Sequence, residues 1–105
     1  MDAFAALADP TRRRIVELLG SGERAAGELV DEFEVSAPAI SQHLKALREA
    51  GLVRVRADAQ RRIYTLDPAG LEAIDAWLAQ VRRFWSGRLD ALERELREPT
   101  TRRKP

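Results

Sequence analysis

The chain has 105 residues, 45% hydrophobic and 33% charged, which is typical of one soluble, helix-rich globular domain. It contains no cysteine, which excludes a disulfide framework, a thiolate metal site and a cysteine nucleophile. The net charge of +1 conceals an asymmetry: residues 1–35 carry four arginines against eight acidic side chains, whereas residues 36–66 carry six basic side chains against two acidic ones. This basic middle segment predicts a local surface that binds a polyanion.

The first third of the chain, residues 2–33, shows the pattern of three short helices. Residues 2–7 predict the first. Asp9 is a good N-cap and Pro10 suits the first helical position, so a second helix begins there and ends at one of the two glycines that follow. Apolar residues at helical spacing predict a third helix over residues 25–33.

The stretch SAPAISQHLKALREAGLV, residues 36–53, predicts a fourth helix after a very short turn. Ser36 is a strong N-cap, and Pro38 costs little in the first turn because its missing N–H would have no partner there. Gly51 suits the left-handed residue that ends the helix. Two helices joined in this way predict a helix-turn-helix.

The fourth helix has two chemically different sides. At about 100° per residue, Ile40, Leu44 and Leu47 lie together and face the predicted core. The outward patch consists of Pro38, Ser41, Gln42 and Lys45, with Ala37 and Ala39 beside it. Glutamine pairs with adenine in the major groove, serine meets several bases or a phosphate, and lysine favours guanine or phosphate. Because a helix N-terminus also attracts phosphate, this face is predicted to bind DNA.

A basic β-hairpin is predicted directly after the helix-turn-helix. The segment LVRVR alternates apolar residues with arginine, RRIYTL is rich in residues that favour strands, and ADAQ is predicted as a four-residue loop between them. A hairpin in this place is the wing of a winged helix. The predicted fold class is therefore mainly α with a small β-hairpin.

A long C-terminal helix is predicted from Asp67 and Pro68, with apolar residues at steps of three and four up to Leu96. Its roughly 29 residues would measure about 44 Å, more than a domain of this size covers. We therefore predict that its outer half pairs with its own copy in a two-fold dimer. The predicted interface contains Phe4, Leu7, Leu78, Val81, Trp85, Leu89 and Leu92. Residues 1–98 are predicted to form a single DNA-binding and dimerisation domain, and residues 99–105 a basic disordered tail.

Several motifs carry a family resemblance. ALADPTRRRIVELL, SAPAISQHLKALREAGLVRVR and RRIYTLDP closely resemble the ArsR-type winged-helix repressors over roughly residues 2–70. FWSGRLDALERELRE resembles the C-terminal helix of a metal-independent branch of that family. The resemblance implies a homodimer that binds an imperfect palindrome near its own promoter and represses transcription. By the family pattern, the DNA-reading helix contributes Ser36, Ala37, Ser41, Gln42 and Lys45, and the wing contributes Arg56, Gln60, Arg61 and Arg62.

Two positions depart from the family pattern. Ala37 stands where a polar residue is frequent, which weakens the expectation of a base contact there. Asp58 and Ala59 stand in the wing tip, where family members often have glycine. Because Asp58 would repel phosphate, the wing is expected to act through Arg61 and Arg62.

Metal and enzyme functions are not expected. The stretch ELVDEFEV contains no cysteine and the last helix no histidine, which leaves His43 as the single histidine of the chain. We therefore expect no metal and no cofactor. The chain also lacks a glycine-rich phosphate loop and a paired nucleophile, so we do not expect an enzyme.

Two alternatives to a simple repressor remain open from the sequence. One is a winged helix that binds another protein, and the other is a regulator that binds a small apolar effector at the dimer seam near Trp77, Phe84 and Trp85. The N-terminus lacks the features of a signal peptide, and no apolar run approaches the roughly 20 residues that span a bilayer. A cytoplasmic protein is expected, with double-stranded DNA and a second copy of the chain as its partners.

Overall fold

The structure is a computed structural model that describes residues 2–97. In chain order its elements are α1 (Ala3–Ala6), α2 (Pro10–Leu19), β1 (Arg24–Ala25), α3 (Ala26–Asp31), α4 (Ala37–Glu49), β2 (Val53–Asp58), β3 (Arg61–Leu66) and α5 (Pro68–Arg97). The predicted fold class is confirmed: a mainly α-helical winged helix-turn-helix with a long C-terminal helix.

The chain divides into two compact units, one up to Ile74 and one from Asp75 onward. α5 is a single 30-residue helix that belongs to both. The single domain over residues 1–98 therefore stays a prediction, and the basic tail at residues 99–105 lies outside the described residues. No helix within residues 2–97 combines the length and the apolar content that crossing a membrane requires.

The helices begin where the sequence predicts, because their capping side chains are local signals. The Asp9 carboxylate accepts the backbone N–H three residues later at 3.0 Å, with Pro10 in the first turn of α2. Ser36 accepts the corresponding N–H of α4 through its hydroxyl oxygen at 3.2 Å. At the start of α5, Asp67 accepts a backbone N–H from the residue after Pro68 at 3.0 Å. Each cap satisfies a donor that has no partner within its helix.

The third helix is shorter than predicted at both ends. The chain before it joins the sheet, and after its last residue the backbone N–H groups of Glu32 and Phe33 donate to carbonyls three residues earlier, at 3.1 and 3.2 Å. α3 spans six residues and ends at Asp31, whereas the sequence predicted residues 25–33. Arg24 and Ala25 form the short strand β1, which pairs antiparallel with β3 and places Ala25 opposite Ile63. The sheet therefore has three strands in the order β1-β3-β2. β1 has only two residues, too few to produce a recognisable period.

The predicted four-residue hairpin loop is wrong. The ladder between β2 and β3 continues through Ala57 opposite Arg62 and Asp58 opposite Arg61, so only two residues, 59 and 60, connect the strands. Ala59 has φ 59°, which costs a non-glycine residue about 1–2 kcal/mol. A two-residue connection requires this type of backbone to match the twist of the two strands.

Buried side chains of residues 2–97 form a hydrophobic core within the unit that ends at Ile74, and they are at most 8% exposed. Its buried members are Ala6, Ile15, Leu18, Leu19, Leu29, Ile40, Leu44, Leu47, Leu52, Val53 and Tyr64. The predicted inward side of α4 is confirmed, because Ile40, Leu44 and Leu47 all belong to this core. The core fixes α4 with its polar side outward.

The first turn of α5 packs directly on the end of α4. Gly51 has φ 78°, which a glycine adopts freely, and the Asp67 N–H donates to the Leu52 carbonyl at 2.8 Å. A Cβ atom at Gly70 would lie only 2.1 Å from the Gly51 carbonyl oxygen, so this approach requires glycine. Leu71 then packs partly against the core.

From Asp75 onward, α5 has a different character. Its large apolar side chains are between 37% and 68% exposed. They are Trp77, Leu78, Phe84, Trp85, Leu89, Leu92 and Leu96. The guanidinium of Arg88 lies 5.3 Å from the centre of the Phe84 ring and 6.0 Å from that of Trp85. Most of the large apolar side chains of the predicted seam are therefore exposed in this chain, and their pairing with a second copy stays a prediction.

Candidate nucleic-acid interface

The outward side of α4 and the wing enclose an open groove, here called the recognition groove. It is lined by Pro38, Ser41, Gln42, Lys45, Arg48, Arg62 and Tyr64. Five of these residues belong to α4, and the hairpin supplies the other two. The structure thus brings together the polar patch predicted on the helix and one of the wing arginines.

The lining of the recognition groove is positively charged and polar. It contains the cations Lys45, Arg48 and Arg62, and the described residues that line it include no carboxylate. Ser41 and Gln42 add groups that both donate and accept hydrogen bonds. Such a surface offers charge to phosphates and directional partners to base edges, the two kinds of contact that DNA recognition uses.

Two residues of the groove, Arg48 and Tyr64, were missed by the sequence reasoning. Arg48 follows Lys45 by three residues and therefore lies on the same side of the helix, so the helical period was a signal that could have found it. Tyr64 follows Arg62 by two residues in β3 and shares its face of the sheet. This tyrosine is only 6% exposed, so it forms the floor of the groove and not its rim.

The start of α4 holds two further predicted residues, Ser36 and Ala37, which are exposed. The Ser36 oxygen is engaged as the helix cap, but its hydroxyl hydrogen remains able to donate. Ala37 has no polar group in its side chain, so it contributes only the close approach of its backbone.

The remaining wing residues do not join the recognition groove. Arg56 donates through Nη2 to both carboxylate oxygens of Glu23, at 2.7 and 2.8 Å. Arg61 has its Nη2 atom 3.6 Å from Oε1 of Glu28. Gln60 lies with Arg61 along a different cleft that Glu28 also lines. Of the four predicted wing residues, only Arg62 lines the recognition groove.

The single histidine belongs to a structural contact. His43 Nδ1 lies 3.9 Å from the Asp9 carboxylate that caps α2. The hydrogen bond from the backbone N–H of Arg12 lowers the pKa of Asp9 below its ordinary value, and the nearby imidazole lowers it further when charged. No group of three histidine, cysteine or acidic side chains within residues 2–97 is arranged to hold a metal ion. The absence of a metal site stays a prediction.

In this arrangement α4, the second helix of the helix-turn-helix, borders a basic groove beside a β-hairpin. The arrangement defines the winged helix-turn-helix class of DNA-binding proteins. Residues 9–55 match the sequence model of the bacterial regulatory protein, arsR family. That match covers the helix-turn-helix and the first residues of β2.

Relatives from two bacteria support the same assignment. The chain is 51% identical to the HTH-type transcriptional regulator Rv2034 of Mycobacterium tuberculosis over 84 residues, which cover 80% of this chain and 76% of that protein. It is 35% identical to the transcriptional repressor SdpR of Bacillus subtilis over 77 residues, which cover 73% of this chain and 86% of that protein.

A solved structure of a "Possible transcriptional regulator for arsenical resistance" superposes with a TM-score of 0.74 at 45% identity. The superposition covers 90% of this chain and 96% of that one. The chain therefore belongs to the ArsR family of bacterial regulatory proteins. It is a DNA-binding transcriptional regulator and not an enzyme, as the sequence predicted.

Proposed function

We propose that the protein is a homodimeric repressor that binds an imperfect palindrome near its own promoter. The recognition groove carries the proposal, because three cations and two hydrogen-bonding side chains converge there without an opposing carboxylate among the described lining residues. A groove of this composition suits double-stranded DNA better than an apolar ligand. Its position on the second helix of a helix-turn-helix suits insertion into the major groove.

Reading and anchoring are assigned to different residues. Gln42 and Ser41 lie in the first half of α4 and are exposed, so we assign base contacts to them. Lys45, Arg48 and Arg62 line the same groove, and we assign to them mainly phosphate contacts. The exposed N-terminus of α4 attracts phosphate as well.

The homodimer is supported by the apolar face of α5 from Asp75 onward. A surface helix normally buries its apolar side against the core of its own domain. Large apolar side chains that stay exposed over this length therefore indicate a missing partner. A second copy presents the same face, so a two-fold axis would cover both at once. A two-fold dimer would also present two copies of α4 to the two half-sites of a palindrome.

Phe4 and Leu7 were predicted to join this interface. Phe4 is exposed in α1, whereas Leu7 is half-buried against the core. Leu7 therefore has less surface to offer than Phe4, and we assign the contribution of this region mainly to Phe4.

Repression, rather than activation, is supported by the Bacillus subtilis relative, which is a transcriptional repressor. We further propose that the protein acts in the cytoplasm and needs no metal or cofactor. Operator affinity should then be the same with a chelator and with added zinc. A change of more than about tenfold in either condition would show that a metal is coupled to binding.

The proposal is tested by a mobility shift with the DNA upstream of the gene for this protein. Retarded complexes are expected with this DNA, and raising the salt should weaken them because bound phosphates release counterions. A scrambled duplex of equal length and composition is the control, and it should bind more weakly at both salt concentrations. Equal affinity for both duplexes would contradict sequence-specific recognition.

If the protein were instead a protein-interaction module, the opposite salt dependence would be expected. A partner recognised through apolar contacts would bind in a manner that salt barely changes. The alternative of an apolar effector at the dimer seam stays open, but Arg88 stacks on two of the three aromatic rings concerned. We therefore favour a packing role for these rings.

A further inference from the structure

Ion pairs connect the wing to the chain segment that surrounds β1 and α3. Arg56 of β2 binds both carboxylate oxygens of Glu23 at 2.7 and 2.8 Å. Arg61 of β3 lies 3.6 Å from Glu28, and the same Glu28 oxygen accepts the Ala25 backbone N–H at 2.8 Å. The Glu28 carboxylate is therefore fixed at the start of α3 and cannot follow the arginine away from it.

The strand register explains why these arginines pair with carboxylates. Arg62 lines the recognition groove as well as the cleft that contains Glu28, but it forms no ion pair within the described residues. Residues directly opposite each other in an antiparallel ladder share a face, and neighbours along a strand alternate. Arg56 stands opposite Ile63, and Asp58 stands opposite Arg61, so these four side chains belong to one face of the hairpin. Arg62 stands on the other face, which borders the recognition groove.

We propose that Glu23 and Glu28 are specificity-determining residues, because they hold Arg56 and Arg61 away from DNA. Arg54 of β2 is also paired, with Nη2 at 3.3 Å from Oδ1 of Asp67, so Arg62 is then the single arginine among the described wing residues that is available to a phosphate. This inference rests on the proposed function, since it concerns how DNA is bound. It removes two residues, Arg56 and Arg61, from the DNA contacts that the family resemblance implied.

The physical consequence concerns binding that is independent of base sequence. The logarithm of the binding constant falls linearly with the logarithm of the salt concentration. Each protein cation that neutralises a phosphate makes this salt slope steeper by about 0.9. An arginine already paired with a carboxylate brings no net charge to the duplex and adds little to this slope. The ion pairs that Arg56 and Arg61 form with Glu23 and Glu28 therefore limit the affinity for any duplex. Base contacts from α4 then account for a larger share of the free energy of binding to the operator.

A first experiment compares two arginines of the same hairpin. Arg62→Ala should lower the salt slope by about 1 per protomer, whereas Arg56→Ala should leave the slope for a scrambled duplex unchanged. Both variants remove one arginine, so their net charges are equal. If Arg56→Ala lowered the slope as much as Arg62→Ala, Arg56 would contact phosphate and the proposal would be overturned.

A second experiment removes the ion pair that Glu23 forms with Arg56. Glu23→Gln should raise the salt slope by about 1 per protomer and tighten binding to every duplex, because Arg56 becomes free to bind phosphate. Glu72→Gln on α5 is the matched control, since it changes the net charge equally at an exposed position. The gain should disappear in the double variant Glu23→Gln/Arg56→Ala. A gain that persisted there, or that Glu72→Gln equalled, would contradict the proposal.

Elution from heparin separates a failure of this inference from a failure of the proposed function. Heparin carries sulfates without any base sequence, so Glu23→Gln should elute at higher salt than Glu72→Gln, and only if Arg56 is present. If the operator is not bound but this heparin shift is found, the proposed function fails and the restraint of Arg56 stands. If the operator is bound without any such shift, the restraint by Glu23 is refuted.

Discussion

The two units of the chain differ in how far their large apolar side chains are buried. Up to Ile74 the large core residues are buried, and Leu47 has no exposed surface at all. From Asp75 onward, side chains of the same kind are about half exposed, as at Leu92. The helices of both units are amphipathic in sequence, with apolar residues at steps of three and four.

The difference indicates what each region needs in order to be stable. The first unit contains a core and a sheet of its own, so its stability should not depend on protein concentration. The apolar face from Asp75 onward has no such cover in one chain and should gain stability from a second copy. The recognition groove lies entirely in the first unit, and we assign the pairing of two grooves to the second.

The largest expected effect is a core truncation in the first unit. Leu47→Ala should lower the free energy of unfolding by about 2–5 kcal/mol, because it removes a fully buried side chain and leaves a cavity. Urea unfolding at several protein concentrations measures it. Leu92→Ala is the matched control, and its smaller effect should shrink as the protein is diluted through the dimer dissociation constant, because wild type and variant are then both monomers. A concentration dependence for Leu92→Ala no greater than for Leu47→Ala would contradict the comparison.

A charge on the exposed face of α5 should act on association alone. Leu89→Glu should weaken the dimer by about 3 kcal/mol, roughly a hundredfold in the dissociation constant, because a carboxylate would be buried without a partner. Sedimentation equilibrium measures the dissociation constant, and circular dichroism should show an unchanged helix content for the whole chain. A wild-type protein that remained a folded monomer at micromolar concentration would refute the dimer itself.

The close contact between the start of α5 and the residues that follow α4 can be tested with a matched control. Gly70→Ala should destabilise the protein by about 1–3 kcal/mol, because its Cβ would meet the Gly51 carbonyl and the backbone must shift. Gly27→Ala in α3 has nothing within 4 Å and should instead stabilise by about 0.5–1 kcal/mol. Thermal unfolding of both variants checks the pair. Equal effects would mean that α5 does not pack on Gly51 in solution.

The smallest expected effect concerns the cap of α2. Asp9→Ala should cost about 1 kcal/mol at neutral pH, because the Arg12 N–H loses its acceptor. The pKa of Asp9 is lowered in the folded state, so its carboxylate contributes stability above the ordinary value of 3.8 and loses it as the pH falls through the folded value. The difference between wild type and variant should therefore shrink in acid. Urea unfolding at neutral pH and near pH 3 would show it, and a difference that stayed constant would exclude this cause.

Local signals predicted most of the fold, and long-range pairing explains the rest. Asp9, Ser36 and Asp67 cap helices within three residues of themselves, so the sequence alone revealed these starts. β1 was missed because Arg24 and Ala25 have strand geometry only through their pairing with residues nearly forty positions later. The hairpin loop was predicted too long for the same reason, since its ladder closes between residues that are not strong strand formers.

The candidate site divides in the same way. The outward side of α4 followed from the helical period, and the structure places Ser41, Gln42 and Lys45 together as predicted. On the wing, a one-residue difference in register decides which arginine faces the recognition groove. Sequence reasoning treated Arg61 and Arg62 as equivalent because no local signal distinguishes the two faces of a hairpin that is basic on both.

The central claim is that α4 reads bases through Gln42, and a binding titration tests it most directly. Wild type and Gln42→Ala would be titrated against the operator and against a scrambled duplex at several salt concentrations. Gln42→Ala should lose about 1–3 kcal/mol per half-site for the operator, relax preference at one base pair and leave the scrambled duplex unaffected. An equal loss for both duplexes would show that Gln42 anchors the helix to the backbone, and no loss for either would show that the recognition groove serves another partner.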